Sequence, residues 1–237
     1  MKNKNNRWAL AQKYEFNWWE SKKETIKADY YKHSAEEIRQ FCLNNKVLKK
    51  DTVILEIGSG ATGILTFLTE SDFRFGIDPL ESYYSTVELF AKLRDPKVKY
   101  QTAKGESLPF DNEMFDIIII DNVLDHCENP YKVMEEVTRV MKNDALIYFR
   151  QNTYNLYGKS ARMLMEMFLI DKGHPYTFTM NDLHKLFEKN NFKMLNFSED
   201  GYFKTWKNEM FSKSLKDKVK ALLFITRNKI ACFVCKL

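Results

Sequence analysis

Residues 53–63 have the sequence VILEIGSGATG, in which a short apolar run passes directly into a glycine-rich turn. An apolar run of this length, bounded by glycine, is typical of a strand buried on both faces of a parallel sheet, and we place this strand at residues 51–57. The glycines have the spacing G-x-G-x-x-G, which lets the backbone approach a ligand closely. A tight turn from strand to helix without a ligand has the same spacing, so the turn alone leaves both interpretations open.

Strand and helix patterns alternate along the rest of the chain. Residues 115–120 read FDIIII, and because four consecutive isoleucines need cover on both sides, we place this strand in the middle of the sheet. Asn129 followed by Pro130 predicts the start of a helix, and so does Thr179 with Asp182. The other predicted strands are residues 73–77, 98–101, 145–149, 192–197 and 229–237, and the predicted helices are residues 8–44, 82–93, 130–141, 179–189 and 211–223. This alternation predicts an α/β fold with a doubly wound, mostly parallel, Rossmann-like sheet of seven strands and helices on both faces.

The length and composition fit a single folded domain. A chain of 237 residues is long enough for one sizeable core. Apolar residues make up 44% of it, with 8 glycines and 5 prolines, which excludes a disordered or fibrous chain. The formal charge of +5 is uneven, because residues 203–237 hold nine lysines and arginines against two acids and so carry +7. Residues 1–202 therefore carry −2.

The sequence also bears on location. It contains no apolar run near the roughly 20 residues that span a bilayer. Residues 1–7 are polar with no apolar stretch behind them, so we expect no secretory signal. The four cysteines are too few and too scattered for a disulfide framework, and we expect them to be reduced. They are Cys42, Cys127, Cys232 and Cys235. These features predict a cytoplasmic protein.

Two acidic residues near the glycine turn indicate the kind of ligand. Glu56 stands two residues before Gly58, where a carboxylate would repel the pyrophosphate of a dinucleotide. The same carboxylate would attract the cationic α-amino group of S-adenosylmethionine, directly or through water. Asp78 follows the second predicted strand, where an acid accepts hydrogen bonds from both hydroxyls of an adenosine ribose. Asp78 also suits the N-cap of a helix ahead of Pro79, and the two roles are compatible.

These features together resemble the class I S-adenosylmethionine-dependent methyltransferases. The E-x-G-x-G run at residues 56–60 is similar to their first motif, and Asp78 to the acid after their second strand. The sequence ESLPF at residues 106–110, followed by Phe115 and Asp116, resembles their LPF…FD stretch. LDHCENP at residues 124–130 is similar to the segment after the fourth strand in small-molecule O-methyltransferases. The resemblance extends from Asp51 to about Phe149.

The resemblance implies S-adenosyl-L-methionine as cofactor and a set of residues that bind it. Those residues are Glu56, Gly58, Ser59, Gly60, Asp78, Glu106, Ser107 and Asp121. One position departs from the family, which usually has an aspartate that contacts the adenine amino group where this chain has Lys104. Glu106, Ser107 or a backbone carbonyl are the candidates to replace that contact.

Methyl transfer to a hydroxyl needs a group that accepts the acceptor's proton. His126 is the first candidate for this base, with Asp121 and Asp125 near it in sequence to orient it, although a packing role for His126 is equally open. His174 is the second candidate, in the long connection after Phe149, and a surface turn is the alternative there. We therefore predict His126, Asp121 and His174 as catalytic residues.

Other chemistry is disfavoured. The four histidines form no close ligand pair along the sequence, and Cys232 and Cys235 lie in a strand pattern that directs them to opposite faces, so we predict no metal. Residues 121–124 read DNVL, whereas adenine-methylating enzymes resemble N-P-P-Y there, so we expect no nucleic acid as partner.

The two ends carry further patterns. Near the front, the pattern Q-x-Y-E-x-x-W-W at residues 12–19 resembles that of prokaryotic methyltransferases of glycan and secondary-metabolite pathways, and its aromatic side chains either cover the cofactor cleft or pack at the sheet edge. Near the end, an apolar helical stripe lies among lysines, formed by Phe211, Leu215, Val219 and Leu222. This basic segment, residues 211–229, is either a solvated face or a patch for an anionic membrane or for a phosphate-bearing or lipid-linked acceptor.

We thus expect a single methyltransferase domain over residues 1–237 that methylates a small-molecule or glycan-like acceptor at oxygen. It would comprise an N-terminal helical cap (1–50), a cofactor-binding core (51–150) and an acceptor-side lid with closing strands and the basic helix (151–237). An NAD-dependent oxidoreductase and a non-catalytic cofactor-binding partner protein are the alternatives. The acceptor and the oligomeric state are not predicted.

Overall fold

The computed structural model describes residues 4–45, 47–168 and 173–237, and it contains one seven-stranded sheet. The strands are β1 (Val53–Ile57), β2 (Phe73–Asp78), β3 (Lys99–Thr102), β4 (Phe115–Asp121), β5 (Met141–Thr153), β6 (Phe192–Glu199) and β7 (Asn228–Lys236). Their order is β3-β2-β1-β4-β5-β7-β6. The first five in that order pair in parallel, whereas β7 is antiparallel to both of its neighbours. The predicted α/β fold with a mostly parallel sheet is confirmed.

Two of the described helices precede β1, and the others lie between strands along the chain. They are α1 (Lys4–Lys22), α2 (Asp29–Asn44), α3 (Glu81–Tyr84), α4 (Glu88–Leu93), α5 (Pro130–Val140), α6 (Leu156–Met167), α7 (Met180–Lys189), α8 (Tyr202–Met210) and α9 (Leu215–Leu222). Two 3₁₀ turns follow β1 and β4, at Ile64–Phe67 and Leu124–His126. None of the helices in the described ranges is long and apolar enough to cross a bilayer.

The alternating isoleucines of β4 show why this strand lies in the middle of the sheet. Ile118 and Ile120 belong to a buried cluster that includes side chains of α5 and α7. Ile117 and Ile119 belong to a second buried cluster that includes side chains of α2. All four isoleucines have no exposed surface, so the expected cover on both faces is confirmed.

Several local predictions are also confirmed. The side chain of Asn129 accepts hydrogen bonds from the first turn of α5, and Pro130 is the first residue of that helix. Thr179 and Asp182 form a capping box at the start of α7. On β7, Cys232 belongs to one buried cluster and Cys235 packs against the other, so the pair serves core packing.

Three helix boundaries differ from the prediction. Residues 8–44 form two helices, because the chain turns between Lys22 and Asp29. Residues 82–93 likewise contain the two short helices α3 and α4. The basic helix begins at Leu215 and not at Phe211, because the hydroxyl of Ser214 accepts the backbone N–H of Asp217 and caps the helix there. Helices α6 and α8 were not predicted, because α6 buries only Gly158 and α8 has no buried side chain, so neither shows an apolar periodicity directed at a core.

Candidate active site

A cavity of about 230 Å³ lies at the carboxyl ends of β1, β2 and β4. Ligands of doubly wound sheets bind at this edge, close to the point where the strand order reverses. Residues after β1 and β2 form one part of the wall, and residues after β4 form another. The lining side chains include Glu56, Ser59, Asp78, Glu106, Asp121, Asn122, His126 and Cys127. The cavity is therefore where the sequence placed the site.

The glycine turn after β1 has a conformation that requires glycine. Gly58 and Gly60 have φ values of 70° and 60°. A Cβ at Gly58 would lie 2.6 Å from a methyl carbon of Val123, and a Cβ at Gly60 would lie 2.9 Å from the ring of Trp19. Backbone strain and close packing both exclude larger residues at these positions.

Glu56 stabilises the loop as well as lining the cavity. Its side-chain oxygens accept hydrogen bonds from the backbone N–H groups of Ile64 at 2.9 Å and Leu65 at 3.1 Å. The residue is 2% exposed, and burial raises the pKa of Glu56 to about 8. The sequence analysis assigned Glu56 to the cofactor alone and missed this structural role.

Asp78 links the ends of β1 and β2. Its Oδ2 accepts the backbone N–H of Gly60 at 3.1 Å, and its Oδ1 accepts that of Leu80 at 2.8 Å. Burial raises the pKa of Asp78 to about 7. The carboxylate therefore holds the glycine turn and the chain before α3 in place while it lines the cavity. The N-cap of α3 is Leu80 and not Asp78, so the predicted capping role is wrong, and the role toward the ribose stays a prediction.

The polar groups between these acids fit S-adenosylmethionine. The Ser59 hydroxyl is buried and has no hydrogen-bond partner among the described residues. The carboxylates of Glu56 and Asp78 accept hydrogen bonds only from backbone N–H groups, and nothing in the described part of the chain forms an ion pair with either. A ligand with an ammonium group and hydroxyl groups supplies the donors that these atoms lack.

Asp121 lines the cavity but is already paired. Arg150 on β5 donates to both of its oxygens, from Nε at 2.7 Å and from Nη2 at 2.5 Å. The Tyr30 hydroxyl donates to the same carboxylate at 3.0 Å. This arrangement makes Asp121 a fixed acceptor at the end of β4, with its charge balanced by a buried guanidinium.

Of the two residues predicted to bind the cofactor after β3, only Glu106 lines the cavity. Glu106 is buried at the cavity wall, where its Oε1 accepts the backbone N–H groups of Glu128 and Asn129. Ser107 is exposed and does not line the cavity. Ser107 forms an isolated bridge with Lys104, and its role in cofactor binding stays a prediction. The Lys104 ammonium pairs with Glu128 and lies 3.7 Å from the ring centroid of Trp8.

The fold brings His126 and His174 together. Their ring centroids are 4.6 Å apart. Tyr176 holds the second histidine's loop in place, because its hydroxyl donates to the carbonyl oxygen of Glu128 and its N–H donates to that of Asp125. Sequence spacing gave no sign of this pair, because the two residues lie on separate loops that meet only in the folded chain.

Carboxylates surround the His126 ring. Asp125 Oδ1 lies 3.9 Å from His126 Nε2, and Glu15 Oε2 lies 3.8 Å from Nδ1. Asp125 Oδ1 and His126 Nδ1 are buried and have no hydrogen-bond partner among the described residues.

One ligand atom from each of Asp125, His126 and His174 lies within 4.8 Å of the others, so these three residues could hold a metal ion. The prediction that the histidines form no close ligand pair is wrong, because His126 and His174 are close in the folded chain. The absence of a metal stays a prediction.

Helix α1 covers the cavity. Trp8, Gln12, Glu15, Trp18 and Trp19 all contribute to the lining. Of the two interpretations of this aromatic segment, cover of the cleft is the one that the structure shows. The lining residues Tyr30, Tyr31 and Asn122 were not predicted from the sequence. Asn122 could have been found, because an asparagine directly after a buried strand is typical of a residue with positive φ, and its φ is 56°.

Residues 55–149, less than half of the chain, match the family described as "Methyltransferase domain". This part of the chain is similar to that family's domain. The cofactor predicted from the sequence, S-adenosylmethionine, is the one that this assignment supports. Nothing in the match identifies the predicted O-methyltransferase subgroup.

Sequence relatives of the domain occur in archaea and bacteria. An uncharacterised protein of Methanocaldococcus jannaschii is 38% identical over 94 residues, which are 39% of this chain and 41% of that protein. The uncharacterised methyltransferase YcgJ of Bacillus subtilis is 32% identical over 93 residues, which are 38% of this chain and 37% of YcgJ. The chain thus spans about two fifths of the length of these relatives.

Solved structures of methyltransferases share the fold beyond the matched domain. The crystal structure of YcgJ superposes with a TM-score of 0.61 at 17% identity, and covers 86% of this chain and 99% of YcgJ. Geranyl diphosphate C-methyltransferase of Streptomyces coelicolor superposes with a TM-score of 0.62 at 12% identity, and covers 85% of this chain and 79% of that enzyme. The latter structure contains Mg²⁺, geranyl diphosphate and S-adenosyl-L-homocysteine. These likenesses extend the fold assignment to most of the chain.

Proposed function

We propose that the chain transfers a methyl group from S-adenosylmethionine to a hydroxyl of a small-molecule or glycan-like acceptor. The observation that carries the proposal is the pair of buried carboxylates, Glu56 and Asp78, on one cavity at the glycine turn of a methyltransferase domain. Both lack a cationic partner among the described residues. A dinucleotide pyrophosphate would add negative charge beside them, whereas an ammonium group would balance their charge.

The cofactor side of the cavity is assigned to the residues on β1 and β2. Glu56 holds the α-amino group, Asp78 accepts hydrogen bonds from the ribose hydroxyls, and the turn at Gly58, Ser59 and Gly60 allows close approach of the backbone. S-adenosylmethionine supplies an electrophilic methyl group on a sulfonium. The aromatic side chains of α1 exclude water from this part of the cavity.

The acceptor side is assigned to the loops that carry His126 and His174. His126 would accept the proton that the acceptor hydroxyl loses on methylation, while the sulfonium would lose its methyl group and become the neutral thioether of S-adenosylhomocysteine. Asp125 Oδ1 and Glu15 Oε2 flank the two ring nitrogens, at 3.9 Å and 3.8 Å. Asp121, fixed by Arg150, is a positioning residue in this scheme because its carboxylate is already paired.

The preference for oxygen and for a glycan-like acceptor rests on this base and on the aromatic wall. Likeness of fold does not decide which atom of the acceptor receives the methyl group, because one structural neighbour is named as a C-methyltransferase. Trp18 lines the cavity while 43% exposed, and it presents a flat apolar ring of the kind that packs on a sugar ring. A nucleic-acid partner is not expected. The cytoplasmic location and the single domain with boundaries near residues 50 and 150 stay predictions.

The test uses the purified full-length chain. Calorimetry should show binding of S-adenosylhomocysteine and no binding of NAD. A panel of hydroxylated acceptors with label in the methyl group of S-adenosylmethionine then reports transfer. NAD binding in place of S-adenosylhomocysteine would favour the oxidoreductase alternative. Tight S-adenosylhomocysteine binding without transfer to any acceptor in a broad panel would favour the non-catalytic alternative.

A further inference from the structure

Three helices leave the sheet at the edge that carries the cavity. Helix α6 follows the carboxyl end of β5, while α8 and α9 connect the end of β6 to the start of β7. Thr153 at the end of β5 pairs with Asn228 at the start of β7, which places both connections at one edge. Three residues before Thr153 on β5, Arg150 pairs with Asp121 in the cavity wall. These helices and the cavity therefore occupy the same end of the molecule.

Helix α9 is amphipathic, but its apolar stripe is directed outward. Leu215, Val219, Leu222 and Leu223 follow the i, i+4, i+7, i+8 spacing that usually faces a core. All four are exposed, Leu215 by 77% and Leu222 by 64%. The other side of the helix packs on α8, where Trp206 Nε1 donates to the carbonyl oxygen of the buried Ala221 at 2.9 Å. The described residues therefore leave the stripe uncovered.

Helices α6 and α8 carry further exposed apolar side chains at the same edge of the sheet. Exposed large apolar side chains occur on or directly after α6 and on or beside the α8–α9 pair. They are Leu156, Tyr157, Met163, Leu164, Met167, Phe168, Phe203, Phe211 and Phe224. Helix α6 is joined to the wall of the cavity, since Glu166 pairs with Arg7, the residue before Trp8 on α1. So many exposed apolar groups at one end exceed the scattered ones that are normal on a monomer.

Charge identifies the partner. Residues 203–237 carry a net +7, and exposed lysines accompany the apolar side chains at Lys204, Lys207, Lys213 and Lys218. A second copy of the chain would bring the same positive charge against this surface. Apolar side chains among lysines match an interface with anionic headgroups and acyl chains below them.

We propose that α6, α8 and α9 dock the protein on the surface of an anionic lipid bilayer, with the cavity-bearing edge of the sheet toward the lipid. The surface includes the basic segment 211–229 and adds α6 to it. Docking does not require a bound cofactor, so it stands or falls separately from methyl transfer.

The experiment is co-sedimentation of the full chain with two kinds of vesicle, phosphatidylcholine alone and phosphatidylcholine mixed with phosphatidylglycerol. We expect binding to the mixed vesicles at low salt and its loss at high salt. Leu215→Ser with Leu222→Ser should weaken binding by at least ~10-fold, because two leucines no longer enter the acyl region. Lys213→Glu with Lys218→Glu should weaken it by at least ~5-fold for each lysine.

Matched controls lie outside helices α6, α8 and α9. Leu89→Ser on α4 and Lys97→Glu before β3 replace exposed residues of the same types and should leave vesicle binding unchanged. Calorimetry with S-adenosylhomocysteine checks that each variant retains its fold and its site. Equal binding to both vesicle types, or no binding to either, would overturn the proposal. Concentration-dependent dimers that disappear with Leu215→Ser and Leu222→Ser would overturn it in favour of a second copy as the occupant.

Discussion

The imidazole rings of His126 and His174 lie with their centroids 4.6 Å apart, one on the 3₁₀ turn after β4 and the other in the loop before α7. Asp125 completes the group, with its Oδ1 buried and unpaired among the described residues. This group is the one to which we assign the acceptance of the acceptor's proton.

Replacement of His126 by alanine should lower turnover by ~10-fold or more, because a positioned base contributes about that factor or greater. The affinity for S-adenosylhomocysteine should stay nearly the same, since the ring is assigned to the acceptor side. Steady-state kinetics and calorimetry measure the two quantities. Replacement of His33, an exposed histidine on α2, is the matched control. Unchanged turnover in His126→Ala would remove His126 from the mechanism.

Asp78→Asn should weaken the binding of S-adenosylhomocysteine by ~10- to 100-fold, the usual effect of losing hydrogen bonds to a charged acceptor. Asp72→Asn serves as the control, because that aspartate lies near the surface, 3.6 Å from Lys50 and outside the cavity lining. Calorimetry checks both variants. Equal affinities for the two would show that Asp78 serves the glycine turn and not the cofactor.

The affinity for S-adenosylhomocysteine should increase with pH. Burial raises the pKa of Glu56 to about 8 and that of Asp78 to about 7, so both carboxyls must lose a proton before they pair with an ammonium group or accept ribose hydroxyls. We expect tighter binding from about pH 6 to about pH 9, with protons released on binding. Calorimetry in buffers of different ionisation enthalpy measures that release. Proton uptake would contradict the assignment.

The ligand-free protein should show the opposite trend in stability. A carboxyl whose pKa is higher in the folded than in the unfolded state favours folding below its usual pKa, and this contribution is lost as pH rises through the folded value. For Glu56 the window runs from about 4.5 to about 8. Urea unfolding over this range, with and without S-adenosylhomocysteine, should show the ligand reversing the loss.

Gly60→Ala should destabilise the fold more than Gly201→Ala. Both glycines have positive φ, which costs alanine about 1–2 kcal/mol. At Gly60 the new methyl also meets the ring of Trp19 at 2.9 Å, which adds about 1–3 kcal/mol, whereas no atom lies within 4 Å at Gly201. Urea unfolding measures the difference. Only Gly60→Ala should weaken S-adenosylhomocysteine binding, and equal effects of the two variants would contradict the contact with Trp19.

A chelator should leave methyl transfer unchanged, because His126 is assigned as a base and not as a ligand. Dialysis against EDTA followed by activity and metal analysis measures this. Loss of activity that returns with one divalent cation would instead assign Asp125, His126 and His174 as the ligands of that ion.

The sheet was predictable because its strands carry a local signal. Residues 53–57 and 115–120 are apolar on both faces, and their burial in the structure follows from that pattern alone. The turn at Gly58 and Gly60 was equally visible, since only glycine suits its backbone. Helix α8 was not predictable in the same way, because it has no buried side chain.

The site was predictable only in its cofactor half. Glu56 and Asp78 belong to motifs that stay within one strand and its following turn, so their place in the cavity follows from sequence. The pairing of His126 with His174, and the engagement of Asp121 by Arg150, depend on contacts between distant segments. Ser107 is exposed beside a short bridge to Lys104, and no residue pattern in the sequence predicted that bridge.

Helix α1 supplies one wall of the cavity, yet it lies outside residues 55–149, the part that matches the methyltransferase family. The enclosing wall and the glycine turn thus belong to separate stretches of sequence, which meet where Trp19 packs on Gly60. Changes elsewhere on α1, at Trp18 for example, would offer a route to new acceptor selectivity that leaves the turn intact.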